Sequence, residues 1–250
     1  MKIVAVKTRK ITDKDTNILD VIDSYIDTLE ERSILCITSK IISICEGRII
    51  QTEKADKDEL IKQESEYFLE KSENKYGFSL TITQNLLIPT AGIDESNGNG
   101  YYILWPKNPQ KTANDIREHL TKKYNKKHIG IIITDSKTSP LRWGTTGVAI
   151  AHSGFKALNT YIGKSDLFDK TMRVTESNIM DGIAAAAVCV MGEGREQTPL
   201  ALVTDTENVQ FQERNPTEEE LDHLKIDIDT DLYSSLLKLA PWKKGEKSNS

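Results

Sequence analysis

The sequence predicts an α+β architecture, mixed irregular sheets with packed helices, and three observations lead there. Short apolar runs of strand type recur, at Ser33–Ser39 and His128–Thr134. Segments with helical apolar spacing lie between and after them, Asn17–Leu29 and Thr112–Tyr124 among them. The two kinds of element do not alternate strictly, which disfavours a doubly wound parallel sheet.

In chain order, Ile3–Val6 reads as a strand. Within Asn17–Leu29, residues Ile18, Val21, Ile22, Tyr25, Ile26 and Leu29 make one helical stripe. Ser33–Ser39 reads as a buried strand, and Ile41–Glu46 either continues it or begins a helix. Asp56–Lys71 reads as a polar-faced helix, and Thr81–Ile88 and Tyr101–Leu104 as strands around the loop Pro89–Gly100. Thr112–Tyr124 is a helix, and His128–Thr134 is the clearest buried strand. Val148–Phe155 is small and apolar. Thr175–Met191 is a helix whose alanine run requires a close packing partner, with Gly192 and Gly194 as stop signals. Leu200–Val203 is the last core strand. Beyond Thr206 the chain turns polar, with a helix at Thr217–Leu224 and the composition of a frayed tail from Lys243 to Ser250. Residues 1–205 are thus read as the functional domain and 206–250 as a polar extension.

The 250 residues are 38% hydrophobic and 28% charged, enough for a core without staples. A formal charge of −5 gives no global basic field and speaks against a nucleic-acid partner. Cys36, Cys45 and Cys189 form no CxxC pair, so they predict neither a disulfide framework nor a zinc site but buried free thiols in a reducing compartment. Met1–Lys7 has a strand pattern and not that of a signal peptide, and runs such as Ile183–Met191 are too short to span a membrane. The cytoplasm is the expected location.

Five segments can carry chemistry. In Ala91–Asn97 the backbone can turn tightly, Asp94 offers oxygen to a hard cation, and Asn97 can bond a base, ribose or phosphate. Asp135 and Ser136 follow a buried strand, where loops place ligands over a site. In Met191–Thr198, Gly192 and Gly194 flank Glu193 and free the backbone to approach a ligand, while Arg195 suits phosphate charge. That spacing is not a Walker loop, and it ends a helix instead of starting one. Lys40 and Arg48 are candidate contacts for phosphate or carboxylate. Pro140–Gly147 is a polar loop suited to a substrate wall. Each has a plain alternative: a surface turn, a cap, a helix stop, edge charge. His152 reads as a core group, and His119, His128 and His223 have no partners at ligand spacing. Three carboxylates in separate loops are what metal-dependent phosphoryl transfer needs, because cations held by them neutralise phosphate charge and align donor and acceptor.

Taken in order, the stretches TSKIISICEGRII, PTAGIDESN, GIIITDS, LRWGTTGVAIAHSGFKAL, IGKSDLFDKTMRVTESNIMDGIAAAAVCVMGEG and TPLALV resemble the coenzyme F-420-0 gamma-glutamyl ligases, and most of all the bacterial branch linked to folate metabolism. The likeness runs from about Ile34 to Val203. It implies an amide bond made between L-glutamate and a small carboxylate acceptor, coenzyme F-420-0 first, through an acyl-phosphate driven by GTP. It also implies two Mg or Mn ions and an intertwined homodimer. By motif position, Asp94, Asp135, Ser136 and Glu193 are implied as metal ligands, with Asp94, Asp135 and Glu193 as the catalytic set. Ser39, Lys40, Asn97, Met191, Gly192, Gly194, Arg195, Glu196, Gln197 and Thr198 are implied as nucleotide contacts. Ser136 stands where the family usually has threonine, Ile44 where many members have lysine, and Arg9–Thr12 where members have an apolar, proline-containing segment. Metal ligation is therefore better supported than a choice of GTP over ATP. The competing readings are a folate-like acceptor, a non-catalytic nucleotide-binding protein, and a metal-dependent hydrolase.

Overall fold

The computed structural model describes residues 1–247. Strand β1 (Lys2–Val6) leads to helix α1 (Ile18–Tyr25), which starts where Asn17 accepts a hydrogen bond from the Leu19 N–H. The helix is shorter than its apolar stripe, since Ile26 turns to extended backbone, yet Ile26 and Leu29 are still buried. Strand β2 (Ser33–Thr38) runs straight into α2 (Ser39–Cys45), which settles Ile41–Cys45 as helix. Then come β3 (Ile49–Gln51) and α3 (Lys57–Glu64), capped by Asp56. The polar helix expected to reach Lys71 stops at Ser65, whose hydroxyl bonds back to the Ile61 carbonyl, and Tyr67–Phe68 join a sheet as β4.

The single strand expected over Thr81–Ile88 is a hairpin, β5 (Leu80–Thr83) and β6 (Leu86–Pro89). Gln84 and Asn85 both have positive φ (49° and 60°), the two-residue turn that matches strand twist. Strand β7 (Tyr101–Ile103) pairs with β3, and α4 (Pro109–Tyr124) follows. Strand β8 (Ile129–Ser139) is longer than expected, and β9 (Arg142–Ser153) takes in most of the small, apolar stretch Val148–Phe155. Pro140–Gly147 is accordingly not a loop wall but the end of a β-arm, turning at Leu141 (φ 59°). A hairpin of β10 (Leu158–Thr160) and β11 (Glu176–Asn178) precedes α5 (Ile179–Met191), so the expected helix start at Thr175 moves to the Asn178 cap. Strand β12 (Leu200–Thr204) is followed by α6 (Glu218–Asp222), α7 (Ser234–Leu237) and β13 (Lys243–Lys244).

The main sheet has the order β1-β12-β2-β8-β9, with β2 and β8 parallel and the other neighbours antiparallel. Strand β2 is buried on both faces, which explains its unbroken apolar run. Leu35 and Ile37, with Ile131 and Ile133, face α1, α2 and α4. Ile34, Cys36 and Ile132 face α5 on the other side. The alanine run meets the expected close approach: a Cβ on Gly147 of β9 would lie 2.5 Å from the Ala184 carbonyl oxygen of α5.

A second sheet, β13-β4-β5-β6, and the β3–β7 pair enclose a smaller core of Leu60, Ile61, Ala91, Ile93 and Leu104. The frayed-tail reading needs correction for Lys243–Lys247. Lys243 and Lys244 pair with Phe68 and Tyr67, and the Gly245, Glu246 and Lys247 amides donate to the Glu66, Lys62 and Ser65 carbonyls. Residues 248–250 lie outside the described residues. Cys36 and Cys45 are buried free thiols as expected, but Cys189 is exposed on α5.

Candidate active site

Strand β8 sorts its residues by alternation. Asp135 continues the Ile131–Ile133 face, toward α2, and Ser136 continues the Ile132 face, toward the loop after α5. Asp135 is therefore carried in among groups that strip its water. Its Oδ2 accepts the Trp105 indole N–H and its Oδ1 accepts the Ser136 amide at 2.8 Å. Burial pushes its carboxyl up to about 6, against those two donors, and the charge of Asp94 pushes the same way. Ser136 Oγ donates to Glu193 Oε1 at 2.6 Å, and Thr145 Oγ1 stands 3.4 Å from the same oxygen.

Asp94 leaves the small core through a bridge with Ile103. Its Oδ1 accepts the Ser96 amide (2.7 Å) and its Oδ2 accepts the Ser96 hydroxyl (3.1 Å). The Lys40 ammonium lies 2.6 Å from Asp94 Oδ2, 3.0 Å from the Ser96 carbonyl oxygen and 3.3 Å from Ser96 Oγ. Burial alone would push the Asp94 carboxyl up; Lys40 and the Ser96 contacts together hold it below the usual carboxylate range.

Asn97, in left-handed backbone (φ 56°), donates from Nδ2 to the Gly194 carbonyl at 2.9 Å and joins the 94–97 loop to the 192–198 loop. In the second loop Gly192 turns at φ 79° and its amide donates to the Val188 carbonyl. Glu196 folds back, its Oε2 accepting the Gly194 amide at 2.8 Å. Gln197 (φ 59°) accepts the Thr8 amide at its carbonyl, which brings the N-terminal segment alongside. Thr198 Oγ1 donates to the Met191 carbonyl, while the Met191 side chain is core. Arg195 is exposed. Ser39 is buried at the start of α2, next to Lys40.

The structure thus gathers Lys40, Asp94, Asn97, Asp135, Ser136, Glu193 and the 192–198 loop in one region. Arg48 is directed elsewhere: its guanidinium donates to Glu64 (2.7 Å) and to the Trp105 carbonyl (3.1 Å). His152 is buried against Phe155, and burial pulls its imidazole down to about 4. Trp105 carried no periodic or motif signal, yet it touches Asp135. Among the described residues no three His, Cys, Asp or Glu side chains converge closely enough to hold a metal ion. The chemistry of a cation site is nevertheless present, since the Lys40 ammonium stands among three oxygens of the kind hard cations take.

No helix of the described residues is long and apolar enough to cross a membrane. The chain is 35% identical over 158 residues to a coenzyme F420:L-glutamate ligase of Methanococcus maripaludis, covering 63% of this chain and 59% of that protein. It is 34% identical over 190 residues to the Methanosarcina mazei protein of the same name (70% and 74% covered). With the Methanocaldococcus jannaschii protein, also of that name, it shares 32% over 210 residues (78% and 83% covered). The chain therefore spans less than two thirds of the first of these relatives and more of the other two. The F420-0:gamma-glutamyl ligase family model matches residues 5–205, the stretch that holds β2, β8, β9 and β12 of the main sheet and the 94–97 and 192–198 loops, and the chain belongs to that family of ligase enzymes.

Proposed function

We propose that this chain joins L-glutamate to a small carboxylate acceptor, coenzyme F420-0 first, in an amide bond, by way of an acyl-phosphate formed at the expense of GTP, with ATP as the alternative donor. The observation that carries the reading is the meeting of strand β8, helix α2 and the two loops 94–97 and 192–198. Ser136 bonds Glu193, Asn97 bonds Gly194, and Lys40 bonds Asp94. Asp94, Asp135, Ser136 and Glu193 would hold two Mg or Mn ions, which supply neutralising charge at the phosphates. Lys40 and Arg195 add protein cations, and the 192–198 backbone, with Ser39 and Asn97, receives the nucleotide.

The same reading includes a homodimer. Leu141 and Trp143 at the tip of the β8–β9 arm, and Leu167, Phe168 and Val174 between β10 and β11, are large apolar groups left exposed, more than a lone subunit commonly shows in two projecting segments. It also includes work in the cytoplasm and no nucleic-acid partner, the latter supported by the net charge of −5.

Ile44 and Arg9–Thr12, which depart from the family pattern, favour one second reading, the same chemistry on a folate-like acceptor. Arg9 pairs with Asp15 and its amide donates to the Tyr25 hydroxyl, so a polar strut stands beside the glycine loop.

A ligation assay read by mass spectrometry tests both, with Mg or Mn, GTP or ATP, L-glutamate, and either F420-0 or a folate. A product heavier by one glutamate residue on F420-0 is expected. A folate product moves the acceptor, and no product on either removes the ligase reading.

A further inference from the structure

We propose that Trp105 is the positioning residue of this site, its indole N–H fixing Asp135 Oδ2 so that the carboxylate presents a set orientation to a bound cation. The inference rests on the assignment of Asp135 as a cation ligand.

Four observations carry it. The Trp105 side chain is 2% exposed, and its Nε1 donates to Asp135 Oδ2. A buried indole N–H needs an acceptor, and here the acceptor is the carboxylate itself. The indole reaches it only because Gly92 has no side chain: a Cβ there would lie 2.1 Å from Nε1 and 2.3 Å from Cε2. Gly92 (φ 70°) follows Thr90 (φ 54°) and Ala91 (φ 52°), two non-glycine residues held in left-handed backbone. A β-branched residue there is strained. The turn persists because the Thr90 amide donates to the Ser79 carbonyl, the Ala91 amide to Thr81 Oγ1, and the Ile93 amide to the Thr90 carbonyl. Finally, Arg48 grips the backbone on the other side, donating from Nε to the Trp105 carbonyl while Glu64 holds its Nη2.

The indole thus sits against a strained turn, while an ion-paired arginine holds the Trp105 backbone. With Oδ2 on the indole and Oδ1 on the Ser136 amide, Asp135 has little freedom to rotate. Groups that orient a ligating carboxylate in this way typically alter metal affinity by about 10- to 100-fold. A Trp kept only to fill space would need the ring and not the N–H.

Trp105→Phe keeps an aromatic ring and removes the donor. Titration calorimetry with Mn2+ alone is expected to show binding weakened by about tenfold, with the thermal unfolding midpoint little changed. Gly92→Ala displaces the donor instead of deleting it and should weaken Mn2+ in the same direction. A third measurement needs no change at Trp105. In Trp143→Phe/Trp242→Phe protein, the remaining Trp105 emission should be quenched by Mn2+ with the calorimetric affinity, and Asp135→Asn should abolish that quenching. Undiminished Mn2+ affinity in Trp105→Phe, beside a wild type that binds, overturns the positioning role alone. A wild type that binds no Mn2+ overturns the cation-ligand assignment and the positioning role with it.

Discussion

Ser136 Oγ and Glu193 Oε1 are 2.6 Å apart, so one hydroxyl spans the gap between the main sheet and the loop that ends α5. Both residues are partly open to solvent, so the bond contributes less to folding than to holding Glu193 in place. Ser136→Ala should leave the unfolding midpoint nearly unchanged and lower ligation turnover by about tenfold, the scale of losing one orienting partner at a metal site. Ser136→Thr, which keeps the hydroxyl, should recover most of it. Equal turnover in the alanine variant would show that Glu193 finds its place without the hydroxyl.

The parts of this site that sequence reveals are those with a local reason to exist. Asp94 and Glu193 stand in tight polar loops, as expected, whereas Asp135, expected where a loop begins, lies within the continued strand β8. Strand β2 and the first half of β8 were legible because burial on both faces demands an unbroken apolar run. The arm formed by Lys137–Ser139 and Arg142–Thr146 was not, because a projecting hairpin has no core to impose an alternation. The β5–β6 turn was hidden because Gln84–Asn85 lacks the glycine that usually marks such turns. Trp105 is a long-range part: its contact with Asp135 depends on Gly92, which is distant from Asp135 in the chain. Lys243–Lys247 reads as tail by composition, yet it is paired by backbone bonds that composition does not encode.

Asp135 carries a cost to folding stability. Its folded-state carboxyl is pushed up to about 6 from an ordinary 3.8. A raised carboxylate favours the protonated native form, so chelated, metal-free protein loses stability as pH rises through that window, by up to about 3 kcal/mol. Asp135→Asn removes the titration but gives up one of the two donors, at about 1 kcal/mol. The variant should therefore gain in unfolding midpoint over wild type between pH 4 and pH 6 and keep that gain at pH 7, while turnover disappears. A constant difference across that range would refute the raised carboxyl, and wild-type turnover would remove Asp135 from the site.

Lys40 occupies Asp94 Oδ2 and two Ser96 oxygens, the position a cation would contest. Lys40→Met removes the competitor along with a cation for phosphate. Mn2+ binding in the absence of nucleotide should tighten by about two- to fivefold, the worth of a partly exposed ion pair, and nucleotide affinity should fall. Calorimetry with each ligand separately decides this. Weaker Mn2+ binding would mean that Lys40 orders the Asp94 loop instead of competing for it.

The extension is anchored by a capping box in which Glu220 serves as an ion-pair partner as well. Thr217 Oγ1 accepts the Glu220 amide and Glu220 Oε2 accepts the Thr217 amide. Arg214 donates to both Glu220 oxygens at 2.7 and 2.9 Å, and Gln212 adds a third donor. The Arg214 bonds, foremost, pull the Glu220 carboxyl down to about 2, against the opposing effect of burial. A depressed carboxylate contributes stability above its ordinary value near 4.5 and loses that contribution as pH falls toward 2. Glu220→Gln keeps a capping-box residue but not the charge. The wild type should be more stable by about 0.5–1 kcal/mol at pH 7, and the gap should close between pH 4.5 and pH 2. Because Asn215 ties this segment to Arg117 and Ser153, amide exchange should rise first in residues 212–222 and leave β8 protected. A gap that persists undiminished at pH 2 would assign the stabilisation to the cap and not to the ion pair.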